Sequence, residues 1–247
     1  LAFMRNVVRI PTVELLPFRF PLLSLTRFFH LHPTPRPRSL ELLSRWVWRG
    51  IATGEHRGQD RTYVRATVAA LRGVNEEEEV QQLLHLLRGM PVPFTPESTN
   101  LRAAETKLLI LSLMSLGPRD LRTGELLDVR AVLARFGKRA LVSLVPREEQ
   151  ENGGPFSDLA FLIHPPLRRG ELARSLSGLL VEPRILASHG LSPDTLAAFA
   201  RSEWSNVVRL RVSWLLSFAR DFLTARSHWE ETDRPSIEAL IVHDSVS

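Results

Sequence analysis

The chain has 247 residues, of which 44% are hydrophobic and 24% charged, and its formal net charge is +5 at pH 7. This length suffices for one substantial core or two small ones, and the composition is typical of globular proteins. Cysteine is absent, which excludes disulfides, thiolate metal sites and cysteine nucleophiles. No apolar run reaches the roughly 18–20 residues of a membrane span, and residues 1–20 do not form a secretory signal. We therefore predict a cytoplasmic protein without a membrane segment.

Positive charge is concentrated near the beginning of the chain. Residues 1–75 contain 12 arginines and four acidic residues, a net of +8, whereas the remainder has 20 basic and 23 acidic residues, a net of −3. Such a basic segment attracts nucleic acid, or an acidic face of another domain. Because the chain begins with Leu1 inside a helical pattern, we expect it to be a fragment of a longer protein.

Helical periodicity dominates residues 1–90, which we assign to a basic helical subdomain. Residues 33–37 contain three prolines and predict a turn between two helices. The helices expected around this turn and after it are one that ends at His32, one capped by Ser39, one capped by Asp60 and one that opens with the acidic run 76–79.

Three prolines in residues 91–96 indicate a linker, which leaves residues 97–247 as a second helical subdomain. One short strand or hairpin is predicted near residues 141–165. The predicted fold class is therefore all-α, an irregular array of many helices. In the second subdomain the helices are expected near residues 98–116, 128–136, 171–180, 192–200, 206–226 and 236–242.

The best candidate for a binding surface lies on the second predicted helix and the turn before it. Arg45 and Arg49 are four residues apart and share one helix face. Arginine alternating with tryptophan can grip a phosphate backbone and stack a base. The alternative is that the tryptophans fill the core while the arginines pair with Glu41. The candidate contacts for nucleic acid or a partner are Arg36, Arg38, Arg45, Trp48 and Arg49.

Catalytic signatures are missing from the sequence. It contains no glycine-rich dinucleotide loop, no Walker A loop, no zincin pair of histidines and no serine nucleophile elbow. We therefore predict no catalytic residue, metal site or cofactor in this chain. His164, which precedes Pro165, and His189, which lies between Ser188 and Gly190, are the candidates for an alternative nuclease site. The competing interpretation is a solvent-facing or core-satisfied side chain for His164 and a structural hydrogen bond to the backbone for His189.

Several short segments together resemble the C-terminal, helical half of GmrSD-type proteins. These are prokaryotic restriction and phage-defence proteins with a ParB-like N-terminal domain. The resemblance spans nearly the whole chain and includes no catalytic signature. The matching segments are LLPFR (15–19), FFHLHP (28–33), LLSRWVWRG (42–50), NLR (100–102), LGPRDLRTGE (116–125), ASH (187–189), WE (229–230) and DRPS (233–236).

The resemblance implies a non-catalytic helical accessory module that acts as a scaffold for a ParB-like domain and contacts that domain or DNA. Full-length relatives are NTP-dependent nucleases, but the ParB-like motif, of the type DGQQR, does not occur here, so that domain is expected to be missing. Some relatives end in an HNH-type nuclease with the signature DxxHxxP, which His164 and Pro165 match only in part. Two alternatives remain: a divergent HNH-like, metal-dependent nuclease that uses His164 or His189, and a purely structural helical module.

Overall fold

The computed structural model describes most of the chain. Within the described part the protein is mostly helical, with eleven α-helices and one two-stranded antiparallel sheet. This confirms the predicted all-α class with a short hairpin. No described helix combines the length and the apolarity needed to cross a bilayer. The described residues are 1–58, 60–92, 94–96, 99–154, 156–168, 170–177 and 182–234.

The chain divides into two compact units. One boundary, between Val92 and residue 93, falls inside the predicted linker 91–96. The units otherwise differ from the sequence-based subdomains, because residues 10–17 belong to the second unit and the chain from Leu223 onward returns to the first. The predicted subdomains are continuous stretches of sequence, so they cannot represent a chain that leaves one unit and later returns to it.

Within the described residues, five α-helices lie entirely in the first unit, and two of them are capped by polar side chains. Asp60 accepts a hydrogen bond from the Thr62 amide at 2.7 Å, as predicted, and Asn75 caps the helix that opens with the acidic run. The helices are α1 (Ala2–Asn6), α2 (Phe20–Leu31), α3 (Pro37–Ala52), α4 (Arg61–Ala70) and α5 (Glu76–His85).

The prediction that Ser39 caps α3 is wrong. The helix begins at Pro37, three residues before the start that a Ser39 cap would give, because the fixed φ angle of proline suits the first helical position. Ser39 is instead buried inside the first turn, where its hydroxyl donates to Glu76 Oε1 at 3.1 Å. Most of α3 is buried, and this helix packs against α5 to form the centre of the unit.

The second unit contains the hairpin. Strands β1 (Leu141–Ser143) and β2 (Phe161–Ile163) pair with Val142 opposite Leu162, and β2 is fully buried. Leu144 and Leu162 lie in an apolar core to which the surrounding helices contribute. These helices are α8 (Glu171–Ser177), α9 (Pro183–Ser188), α10 (Pro193–Ala200) and α11 (Trp204–Ser227), of which the last reaches into the first unit. The second unit also contains α6 (Ala104–Ser115) and α7 (Val129–Phe136).

Helix ends in the second unit depart modestly from the prediction. Asp128 and Ser192 cap α7 and α10, one residue before each helix begins. The helix expected from about residue 98 begins at Ala104, because residues 99–103 form a loop in which the Asn100 amide donates to Thr106 Oγ1 at 3.1 Å. The helix predicted at residues 236–242 lies outside the described residues.

Candidate functional site

Helix α3 carries a row of charged side chains on one face. Arg38, Glu41, Arg45 and Arg49 follow one another at intervals of three and four residues, so their side chains line up along the helix. The row faces residues 228–234, which follow the end of α11 at Ser227 and which we call the strap. Both elements belong to the first unit.

Arg45 is the centre of this arrangement, although only 2% of its side chain is exposed. Its Nη1 donates to the carbonyl of Thr232 and to Asp233 Oδ1, each at 3.0 Å. Its Nη2 contacts the carboxylates of Glu41 and Glu231. Burial by itself would lower the pKa of Arg45, but the three carboxylates outweigh it and raise the pKa above its ordinary value. The guanidinium therefore stays charged.

Arg49 binds the beginning and the end of the strap. Its Nε donates to the Ser227 carbonyl at 2.9 Å and its Nη2 to the His228 carbonyl at 2.7 Å. Its Nη1 forms an ion pair with Asp233. The guanidinium also lies 5.0 Å from the centre of the Trp229 ring, within the range of a cation–π contact. The strap is thus attached to α3 along its length.

The structure places the five predicted contact residues in three different environments. It brings Arg38, Arg45 and Arg49 together under the strap, where Arg38 Nη2 donates to the Thr232 carbonyl at 2.8 Å. Trp48 instead lies in the core, where its indole N–H donates to the Val8 carbonyl at 3.1 Å. Its ring is therefore not presented to a nucleic-acid base in this conformation. Arg36, which precedes α3, keeps 77% of its side chain exposed.

The nuclease candidate His164 lies in the second unit, directly after β2, and is completely buried. Its Nδ1 is 2.8 Å from the Pro165 carbonyl, and its Nε2 accepts a hydrogen bond from the Leu121 amide at 3.0 Å. Since a carbonyl only accepts, the ring proton is on Nδ1. Burial lowers the pKa of His164, and the ring is neutral at pH 7. Both of its nitrogens are therefore engaged by the protein backbone.

The other candidate, His189, follows α9 and packs beside the first. The two imidazole centres are 6.3 Å apart, and His189 Nε2 donates to the Arg119 carbonyl at 2.7 Å. Burial lowers the pKa of His189 to about 4. The sequence analysis thus named two histidines that lie together. Both are bonded to the backbone, which for His189 is the competing interpretation given above.

Asp120 completes this group and was missed by the sequence analysis. Its Oδ2 lies 3.6 Å from His164 Nε2 and 2.9 Å from Arg122 Nη2. Hydrogen bonds from the Arg122 side chain and from the Arg122 and Thr123 amides hold the pKa of Asp120 well below its usual range. Its position two and three residues before these amides is an Asx-turn pattern that the sequence does contain.

The carboxylate and the two histidines fix a turn and do not form an open ligand set. The lone pair of His164 Nε2 is taken by an amide, and Asp120 accepts from its own turn. Among the described residues, no group of three or more acidic or histidine side chains has the arrangement of a metal site.

The sequence analysis did not identify two further residues, because no local sequence pattern marks either of them. Arg211 in α11 is fully buried and donates to the carbonyls of Phe161 and Gly190, at 2.8 and 2.7 Å. Burial lowers its pKa to about 9, so it remains charged at pH 7. Asp233 lies 188 positions from Arg45, and nothing in the pattern of either segment indicates that they meet.

Comparison with known proteins adds no relative to these observations. No protein-family model, no curated protein and no solved structure matches this chain.

Proposed function

We propose that this chain is a non-catalytic helical accessory module of a GmrSD-like, modification-dependent restriction or phage-defence protein. One observation supports the proposal above the others: the segments that carry the resemblance meet one another within each unit. Segment 42–50 binds the strap, which contains the WE pair 229–230 and Asp233. In the second unit, segment 116–125 binds segment 187–189, where the Arg119 amide donates to Ser188 Oγ at 3.1 Å.

The chemistry of these contacts favours a scaffold over an active site. A group that reacts needs a free lone pair or proton directed at a substrate. Here the polar atoms of His164, Asp120 and Arg49 are bonded to backbone groups of the same unit. Buried polar networks of this kind fix one arrangement of loops. The reactive groups of the full restriction protein would then belong to the ParB-like domain, and this module would require no cofactor of its own.

The basic surface of the first unit supports the second half of the proposal, a contact with the ParB-like domain or with DNA. Exposed arginines attract phosphates or carboxylates without a fixed geometry. Nine arginines of this unit before residue 75 are exposed, namely Arg5, Arg9, Arg19, Arg27, Arg36, Arg57, Arg61, Arg65 and Arg72.

A metal-dependent nuclease is the second candidate, and one observation favours it. Asp120, His164 and His189 are close in space although they are distant in sequence, as catalytic groups often are. Burial and the engaged nitrogens of His164 argue against it.

The proposal is tested by the DNA immediately upstream of this reading frame. We expect an in-frame ParB-like domain there, and we expect that domain, expressed separately with an affinity tag, to retain this chain in a pull-down. Replacing Arg36 and Arg57 by glutamine should weaken retention at low salt. An unrelated upstream gene would contradict the proposal. A ParB-like domain that does not bind the chain would favour the purely structural alternative.

A further inference from the structure

The strap is held by charge and hydrogen bonds more than by apolar packing. Of its seven residues, six are exposed and Asp233 is half-buried. It carries three acidic residues, Glu230, Glu231 and Asp233, against one arginine, Arg234. The strap carboxylates that contact the arginines reach solvent, with 51% of the Glu231 side chain and 28% of the Asp233 side chain exposed. Water and salt screen such pairs, so a segment attached in this way can be displaced.

The arginines beneath the strap owe their burial to it. The contacts of Arg49 described above are to Ser227 and to strap residues. Arg45 contacts the strap and, on its own helix, Glu41. If the strap moved away, the donors of both guanidinium groups would face solvent. Among the described residues, no acceptor satisfies the Nε–H of Arg45 even with the strap in place.

The strap also leaves open space on its other side. A cleft of about 670 Å³ lies between strap residues 232–234 and the end of α5. Gln81 spans it with one hydrogen bond, from its Nε2 to the Asp233 carbonyl at 2.7 Å. Two further basic side chains, Arg88 and Arg234, line the cleft. Positive charge therefore continues beyond the arginine row of α3.

We propose that the strap is a removable mask over a nucleic-acid-binding surface formed by Arg38, Arg45 and Arg49. Its carboxylates and carbonyls occupy the positions that backbone phosphates take when the strap lifts. The inference rests on the proposed function, because it states where the basic unit contacts DNA and what regulates that contact.

The geometry of the masked groups fits phosphate. Arginine offers planar donors suited to the oxygens of a phosphate or carboxylate. The two oxygens of Asp233 are shared between Arg45 and Arg49, as two oxygens of one phosphate could be. Arg38 and Arg49 lie along the same helix face, so the row can contact successive phosphates of a strand.

The test compares strap variants of the full chain for binding to a short fluorescein-labelled DNA duplex, followed by fluorescence anisotropy. In the double variant E231Q/D233N, the strap loses the two carboxylates that contact Arg45 and Arg49, and the arginines become available. We expect about tenfold tighter binding at low salt and a salt slope steeper by about 2, as two additional phosphate contacts require.

A matched control separates unmasking from the mere loss of negative charge. The double variant E77Q/E78Q removes two carboxylates of the same unit that lie outside the strap and for which no arginine contact is described, and it should bind like the unaltered chain. A folded E231Q/D233N variant that binds no tighter than this control overturns the proposal. Helical content measured by circular dichroism establishes folding.

A neutral variant keeps the test decisive if the charge variant does not fold. Gln81→Ala releases the Asp233 carbonyl without any change in net charge. It should tighten DNA binding in the same direction, by a smaller factor, and unchanged binding of a folded Q81A protein would then overturn the proposal.

The two proposals fail separately. If the strap variant binds DNA more tightly than its control but no ParB-like domain is encoded upstream, the mask is supported and the proposed function is contradicted. If a ParB-like domain retains the chain but no strap variant gains affinity for DNA, the mask is contradicted and the accessory role is supported.

Discussion

Gly50 lies inside α3 at a position where the packing leaves no room for a Cβ atom. An added Cβ would lie 2.2 Å from two ring atoms of His56. That ring is fully buried and is surrounded by aromatic side chains, with its centre 4.5 Å from that of Trp46 and 5.7 Å from that of Phe20. The ring cannot move aside without moving its neighbours. The conformational cost of a helical glycine is therefore outweighed by the close approach it allows.

We predict that Gly50→Ala destabilises the protein. Alanine normally stabilises an exposed helix interior by up to about 1 kcal/mol relative to glycine. Here overpacking against the His56 ring should cost about 1–3 kcal/mol and reverse the sign. The free energy of unfolding from urea titration, followed by circular dichroism, measures the effect.

The double variant G50A/H56A is the control for this prediction. Removing the ring provides the space that the new methyl group needs, so the two substitutions should be strongly non-additive. Additive effects would show that the clash does not determine the cost.

At the scale of elements, the connection between α4 and α5 depends on Glu79. This residue lies in the first turn of α5 and is 4% exposed. It accepts hydrogen bonds from the Gly73 and Val74 amides at 2.7 and 2.9 Å, and from His32 Nε2 at 2.9 Å. Burial alone would raise the pKa of Glu79, but these donors outweigh it and the pKa lies below its ordinary value. The ionised carboxylate therefore holds the loop against α2.

We predict that Glu79→Gln lowers the free energy of unfolding by about 1–2 kcal/mol at pH 7, since hydrogen bonds to a charged group exceed those to a neutral one by this amount. Because the folded-state pKa is depressed, the stabilisation by Glu79 is complete above about pH 4.3, the ordinary pKa of glutamate. It is lost as the pH falls through the lower folded-state value. The difference between the variant and the unaltered chain should therefore shrink in acid. Chemical denaturation at several pH values measures this difference, and the exposed Glu78→Gln is the control.

The acidic run 76–79 also shows how far sequence reasoning reaches. The preference of carboxylates for the beginning of a helix is local, and it correctly predicted the start of α5. The sequence does not distinguish Glu79 from its three neighbours, because His32 is 47 positions away. In the same way, the periodicity of α3 placed Arg45 and Arg49 on one face, but their carboxylate partner in the strap lies more than 180 positions later. Contacts that are distant in sequence escaped the prediction.

At the scale of the whole molecule, buried polar side chains hold segments together in both units. In the first unit they attach the strap to α3, and in the second they attach the turn 119–124 to β2 and α9. We therefore expect His164 to have a structural role. Its ring is fully buried and makes two backbone hydrogen bonds. Losing them should cost about 2–4 kcal/mol, from unpaired backbone groups and a cavity.

The most direct test of this claim measures both stability and nicking of supercoiled plasmid DNA by the unaltered chain and by His164→Ala. Mg²⁺ and Mn²⁺ are each supplied, and the exposed His85→Ala serves as the control. The account predicts that His164→Ala lowers the melting temperature, that His85→Ala does not, and that none of the three proteins nicks DNA. Metal-dependent nicking by the unaltered chain that His164→Ala abolishes without a change in melting temperature would contradict it.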